Sequence, residues 1–491
     1  MLPTRLAVLL VAVFALLLVV YREAFVVRPS ADDFIIPLQI RRAEQTSPLQ
    51  FFRYSPVGDY RPLQWVLAWA AGRTELDDPF RALHRLNFVA FAWYALILAL
   101  WIRRLCFSSL AAASTLAFVF LHPVLAGPLT DTDGFTRFVV SGWVWLGVYF
   151  ADRFADRLGL ALPLVGSCFL VGLGFMEYAV GLVGLATLAV LSRRGERPLF
   201  GAGIVLSVLV VLFLIYYTLR VSVIGFSDAG RLSLSPVDWL RNFTLLGTAI
   251  FYMGSTAEVA ISPTALRLLT LACSILLVAT VVGVGLWLWR GHARGTRIPP
   301  SIDLPYLGAL FLASFAPMVF MQHVSEIYAT PIVFALGLLV GRAADGWWLR
   351  GRPFRTDFVA VFAIIILWGA ASASSKVEAM RQLGERAERQ IGSLLAQIPA
   401  DARDMTVALV FQARDLPLRR RYSVFHSGDD YLIQPGTGHF AAEWFLPGRD
   451  IRWVHVIRNG DSSPVAGDAG LVLCWNAAYA RFETTRGGLC Q

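Results

Sequence analysis

Long uncharged apolar runs alternate with short arginine-bearing stretches along most of the chain, and most runs approach the roughly 20 residues a helix needs to cross a bilayer. The first, Leu6–Tyr21, follows Arg5. It is long for a signal-peptide core and no A-x-A cleavage pattern follows, so it reads as a retained signal-anchor with its N-terminus inside. Further spans are predicted at 83–101, 108–125, 137–151, 159–174, 177–192, 199–218, 264–289, 303–320, 329–345 and 357–373. The runs flanking Gly174–Glu177 are short and also fit a single re-entrant pair. Two connections are too long for simple turns. In Arg22 to about Arg81, Phe34–Ile40 and Leu63–Ala71 have the pattern of membrane-skimming helices. In Val221–Thr264, Ser235-Pro236-Val237-Asp238 combines an N-cap serine, a first-turn proline and a dipole-matched acid, which predicts a helix from Trp239 to about Gly254.

The pattern changes after Ser374. Val377, Met380, Leu383, Ile391, Leu394 and Ile398 recur at helical spacing among charges, predicting an amphipathic helix. Short strand-like runs follow at Thr406–Phe411, Tyr422–His426, Ile451–Ile457 and Leu471–Trp475. The expected fold is an α-helical polytopic membrane protein of about eleven transmembrane helices, carrying a small soluble α/β domain. The boundaries are 1–373 for the membrane domain and 374–491 for the soluble one.

Composition agrees. Of 491 residues 57% are hydrophobic and 16% charged, with mean hydropathy +0.60, whereas soluble domains carry about 25% charged residues. The net charge of +9 would suit nucleic acid, but its distribution does not. Arg103/Arg104, Arg153/Arg157, Arg193/Arg194/Arg197, Arg290/Arg294/Arg297 and Arg342/Arg350/Arg352/Arg355 all fall on one side of the predicted spans, the positive-inside pattern. An odd number of spans then puts the C-terminal domain opposite the N-terminus, outside the cytoplasm. Cys106, Cys168 and Cys273 lie in apolar segments as packing residues, while Cys474 and Cys490 lie in the exported region, where a disulfide is chemically open to them.

The candidate chemistry sits in the outer loops. Asp32 and Asp33 are adjacent just after the first span. Neighbouring side chains point differently, so one serves as a base while the other orients it or caps the helix at Phe34; capping and solvation alone are the bland alternative. Tyr60-Arg61-Pro62-Leu63 closes the same loop, and Leu121-His122-Pro123-Val124 opens the next. His122, before a proline, also fits a role bonding a helix-end carbonyl, and Asp131 and Asp133 read first as solvated loop acids. Glu177 interrupts an apolar stretch, where an ionisable group is costly and points to function. His323 and Glu326, three apart, share a helix face with too few further ligands for a metal centre, so polar lining of a cavity is the better reading. A base plus fixed cations is chemically sufficient if the leaving group is a lipid phosphate. Glycoside hydrolysis needs an acid as well.

In order, the acidic pair, Tyr-Arg-Pro-Leu at 60–63, His122-Pro123, Glu177-Tyr178-Ala179-Val180 and Gln322-His323-Val324-Ser325-Glu326-Ile327-Tyr328 resemble the GT-C superfamily of glycosyltransferases, in particular its protein O-mannosyltransferase-like bacterial members, over most of residues 1–370. The resemblance implies a donor sugar on a polyprenyl phosphate and a first-loop acid as catalytic base, carried here onto Asp33 first and Asp32 second. Arg61, Tyr60, His122, Glu177, His323, Glu326 and Tyr328 would bind donor phosphate or substrate. Relatives often have lysine where this chain has Met176, and a more basic, aromatic run where it has Val324–Tyr328.

The expected activity is inverting transfer of a sugar to a hydroxyl of an envelope glycan, lipid or protein. The location would be the bacterial inner membrane, with the soluble domain periplasmic. No metal site is assigned and no cofactor is required, a divalent cation being left open; the partners are the lipid-linked donor, the acceptor and the membrane, with no nucleic acid. Two rivals remain. A glycan ligase or polymerase using a polyprenyl diphosphate leans on Arg and His rather than on a first-loop acid. A transporter or flippase places its ionisable groups near the midplane and shows internal repeats, and no repeat is visible here.

Overall fold

The computed structural model describes residues 2–29, 31–42, 47–55, 59–75, 77–192, 198–225, 233–251, 303–321, 324–348, 352–412, 422–423, 443–458, 470–476 and 481–484, with isolated positions between 252 and 302. In chain order the helices used below are α1 (Leu2–Val20), α2 (Ile35–Arg42), α3 (Pro62–Gly72), α4 (Pro79–Arg104), α5 (Ser109–Phe120), α6 (Ala126–Thr130), α7 (Gly134–Arg153), α8 (Leu158–Phe175), α9 (Gly181–Leu191), α10 (Pro198–Ile224), α11 (Pro236–Phe251), α12 (Asp303–Ala313), α13 (Ala316–Val319), α14 (Thr330–Trp348) and α15 (Arg352–Leu395). Among the described residues five helical segments are long and apolar enough to cross a membrane, six if the pair α5 and Pro123–Thr130, bent by 45°, counts as one span. The chain is a multi-pass membrane protein. The predicted span 264–289 falls outside the described residues.

The predicted boundary at Gly174–Glu177 is irregular backbone, and one predicted span proves to be broken. α8 stops at Met176, whose backbone is extended (φ −166°, ψ 144°), and the chain resumes as a 3-10 turn over Glu177–Val180 before α9. The run around 303–320 likewise splits into α12 and α13. Non-helical backbone at such a depth is tolerated where it is buried in protein or lines a cavity, and both breaks lie beside the charged cluster described below. Helices form where the two skimming segments were expected, as α2 and α3, but Ile36, Leu38, Ile40, Trp65 and Ala68 are buried in the protein; the helix expected from Trp239 begins at Pro236, with Ser235 Oγ accepting from Asp238 N–H at 3.5 Å.

Between membrane helices the hydrophobic effect gives little drive, so close packing and small residues decide the contacts. Gly337 and Gly341, four apart on α14, face α5. A Cβ at 337 would collide with Val119 and one at 341 with Thr115. Around this seam Phe91, Tyr94, Phe120, Phe138, Trp145 and Phe334 make an aromatic core, with Trp145 and Phe334 stacked at 4.7 Å and Phe91 edge-on to Phe120 at 4.8 Å. Gly341→Leu is therefore expected to lower the thermal midpoint of the detergent-purified chain, by an overpacking cost of about 1–3 kcal/mol, while Leu at the uncrowded Gly184 leaves it unchanged.

The last predicted helix does not end at residue 373. α15 continues without a break for 44 residues, so its apolar first part and amphipathic second part are one rod. Beyond it β2 (Asp404–Gln412), β4 (Asp450–Arg458), β5 (Leu471–Asn476) and β6 (Arg481–Thr484) form a sheet in the order β4-β2-β5-β6, parallel except for β5 and β6. Strand β2 is buried from Val407 to Phe411, as a central parallel strand should be. A second, two-stranded ladder joins β1 (Val324–Ser325), which lies between α13 and α14, to β3 (Tyr422–Ser423). Cys474 is disulfide-bonded; Cys490 and Cys273 lie outside the described residues. Cys168 is buried, whereas Cys106 is exposed on a left-handed turn (φ 54°) rather than packed.

Candidate active site at one end of the helix bundle

The loops holding the sequence motifs meet at one end of the bundle. Asp33 closes a 3-10 turn over Ala31–Phe34 and is 8% exposed. Its Oδ1 accepts from Thr132 N–H at 2.9 Å, and Thr132 Oγ1 donates to the Asp33 carbonyl at 3.2 Å, so backbone and side chain are both fixed to the segment between α6 and α7. That segment also carries Asp131 and Asp133. Neither is a solvated loop acid: Asp131 is buried, its carbonyl accepting from Asn87 at 2.7 Å, and Asp133 pairs with Arg137 at 3.0 Å. The physical reason is that this loop is folded back under the first-loop turn. Asp32 lies in the same turn as Asp33.

Arg61 caps α3, with Pro62 in the first helical position. Its guanidinium lies 3.0 Å from Glu177 and 3.3 Å from Asp59. Burial works against its charge, yet the Glu177 and Asp59 carboxylates outweigh that and hold it above its ordinary value. Glu177, a third exposed, also stands 3.9 Å from Arg220 of α10, so one carboxylate bridges two guanidiniums. The Tyr60 carbonyl accepts from Tyr216 at 2.8 Å, and burial pushes the Tyr60 phenol upward.

Arg137 connects the two halves. It is 1% exposed and pairs with Asp133, beside Asp33's partner Thr132. It also donates to the Met176 sulfur, next to Glu177, and lies 5.2 Å from the centre of the Tyr328 ring. Arg137 thus reaches from the segment that fixes Asp33 to the residue preceding Glu177, the partner of Arg61.

Two expected members are otherwise occupied. His122 has both ring nitrogens engaged: Nε2 donates to the Ile250 carbonyl at 2.9 Å and Nδ1 accepts from Val124 N–H at 3.2 Å, while its own carbonyl accepts from Tyr21 at 3.1 Å. It ties three segments together. Glu326 is fully buried in an ion pair with Lys376 of α15. His323 lies outside the described residues. Among the described residues no group of three or more His, Cys, Asp or Glu is placed to hold a metal ion.

Thr132, Arg137, Arg220 and Asp59 were not anticipated from sequence. Arg137 and Arg220 carried a usable signal, being charges at the ends of apolar helical runs, which are functional by default. Thr132 carried none, since its part is played by a backbone N–H.

No protein-family model and no curated protein sequence matches the chain. Among solved structures it is similar to two crystal structures of ArnT from Cupriavidus metallidurans, one bound to undecaprenyl phosphate and one in the apo state. Each is 13% identical over 90% of this chain, covering 89% and 88% of those chains respectively, with a TM-score of 0.46.

Proposed function

We propose that the protein is a membrane glycosyltransferase of GT-C type that moves a sugar from a polyprenyl phosphate to a hydroxyl of an envelope glycan, lipid or protein, with inversion, at the extracytoplasmic face of the inner membrane. Asp33 takes the proton of the acceptor hydroxyl. The acceptor oxygen forms its bond to the anomeric carbon as the bond to the phosphate oxygen breaks, and polyprenyl phosphate leaves with the electron pair. Arg61 and Arg220 hold that phosphate. The observation that carries this reading is the bridging carboxylate of Glu177: an anion already spans two partly buried guanidiniums, and a phosphate oxygen has the charge and acceptor chemistry to take its place. The Asp33–Thr132 pair supplies a base whose position is fixed in advance. An apolar groove of about 300 Å3 between α12 and α14, lined by Phe311, Leu336 and Leu339 among others, suits a prenyl chain.

The test is transfer by the purified full chain in detergent from a radiolabelled polyprenyl-phosphate sugar to envelope material extracted from cells lacking the gene. Label appearing in the acceptor supports the reading, and none with a folded wild-type chain rejects it. Arg61→Lys keeps the charge but loses the flat two-pronged donor. Losing one charge-assisted hydrogen bond, worth about 1.5–3 kcal/mol, is expected to weaken donor use by roughly ten- to a hundredfold, read as a rise in donor KM. An unchanged KM would remove Arg61 from the phosphate site.

A further inference from the structure

A second cavity lies next to the Asp33 turn, and neither Arg61, Glu177 nor Arg220 is among its lining residues. It has a volume of about 530 Å3 and opens between the first long loop, the start of α4, the far part of α15 and residues 444–445 of the tail. That volume falls within the about 300–1,000 Å3 of small-molecule sites. Its walls are aromatic: Phe25, Phe34, Phe80, Trp444 and Phe445. Phe34 stands edge-on to Phe80 and to Phe445, both at 5.6 Å, and Phe80 edge-on to Trp444 at 5.2 Å. Trp444 is held from behind, with the Arg41 guanidinium 3.4 Å from the centre of its ring and Arg41 donating to its carbonyl at 2.9 Å. The neighbouring Glu443 pairs with Arg42. The aromatic walls are thus clamped to α2, the helix that starts directly after Asp33 and Phe34.

The rim is polar and, among the described residues, balanced in charge. Arg28 and Arg81 supply two cations, Asp78 and Glu388 two carboxylates. Arg28 meets Glu388 only at 3.8 Å and Arg81 meets Glu75 only at 3.8 Å, with the arginine side chains 60% exposed. Such loosely held groups can exchange these partners for ligand hydroxyls. Flat apolar faces ringed by hydrogen-bonding groups of both signs and no net charge suit a saccharide, whose C–H faces lie on rings while its hydroxyls meet carboxylates and guanidiniums. An anionic ligand would need an excess of cations, and a lipid chain would leave the rim unused. The cavity also abuts the turn that carries the base. Phe34 lines it while Asp33 binds Thr132, and His84, another lining residue, hydrogen-bonds the Thr130 backbone two residues earlier.

We infer that this cavity is the acceptor site and that the acceptor presents an uncharged saccharide of a few rings there, an assignment that rests on glycosyl transfer at Asp33. The soluble tail is then part of the site, since Trp444 and Phe445 complete one of its walls.

The experiment uses the purified full chain and two variants at half-exposed rings, Phe25→Ala and Phe445→Ala. The probes are neutral oligosaccharides of two to four rings from glucan, mannan and galactan, followed by saturation-transfer NMR, with short-chain phosphatidylglycerol as a parallel probe. Binding of at least one oligosaccharide by the wild type, weakened roughly tenfold in each variant as when an aromatic anchor is truncated, supports the assignment. So does a roughly tenfold rise in acceptor KM with donor hydrolysis in the absence of acceptor unchanged. Equal binding by wild type and variants, no binding by any oligosaccharide, or displacement by phosphatidylglycerol alone overturns it. Oligosaccharide binding that depends on Phe445 in a chain that transfers no sugar would reject the glycosyltransferase reading and leave the cavity a saccharide site. Normal transfer with unaffected variants would reject the cavity alone.

Discussion

Asp33→Asn is expected to slow sugar transfer by about 10²–10⁴-fold, the usual worth of a positioned general base, while donor KM and the thermal midpoint stay near wild-type values. The amide matches the carboxylate in shape, and its oxygen can still accept from Thr132 N–H, so the turn over Ala31–Phe34 keeps its attachment. What is lost is the ability to take a proton. In free energy the fall amounts to roughly 3–5 kcal/mol on the barrier, large enough to separate from any small shift in packing. Asp33→Glu should recover part of the rate, because it restores the base but moves it by one methylene. The same variant divides the enzyme readings: a ligase that works through Arg and His would tolerate Asp33→Asn, and a transferase relying on a first-loop base would not. Full activity in Asp33→Asn, with Asp32→Asn equally active, would remove the base from this loop altogether.

Much of this arrangement could be read from the chain because charge is scarce in it. With only 16% charged residues, Asp33, Arg61 and Glu177 stand out against apolar runs, and their order along the sequence suffices to nominate them. What could not be read is who meets whom. Asp33 is fixed by a backbone N–H 99 positions away, and Arg61 meets Glu177 across 116; neither separation leaves a local pattern. Asp131 and Asp133 look like ordinary loop acids until the loop is seen folded under the first-loop turn. The change of composition after Ser374 marks a change in side-chain pattern, not in backbone. No proline or glycine lies between Gly369 and Gly384, so nothing interrupts α15 there. Where a glycine does come, at 384, it serves close approach, since a Cβ there would strike the Arg28 backbone. Strand β6 is four residues long and was not anticipated, being too short to show alternation.

Lys376→Met is expected to destabilise the protein by about 3–5 kcal/mol, the cost of stranding one member of a buried ion pair. Lys376, the chain's only lysine, is 1% exposed and Glu326 is fully buried. The ammonium pairs with Glu326 and donates to the Pro123 carbonyl at 3.3 Å, so one side chain of α15 ties together the segment after His122 and the one leading into α14. With methionine in its place the carboxylate loses this counter-charge at a fully buried position. A lower thermal midpoint and faster proteolysis near residue 376 are the readouts. Replacing both partners, Lys376→Met with Glu326→Leu, removes the stranded charge and should return most of the stability, because hydrophobic pairs of similar volume commonly match or exceed buried ion pairs. The two variants separate holding the fold from aligning the site. If the pair also sets how α15 lies against Arg28 and the Asp33 turn, the double variant will be stable yet show a raised acceptor KM, since α15 carries Glu388 and Ile391 on the wall of the aromatic cavity. If the double variant is as active as it is stable, the pair holds the fold and nothing more. A Lys376→Met chain that melts where the wild type does would mean that Glu326 is not stranded by the loss of its partner.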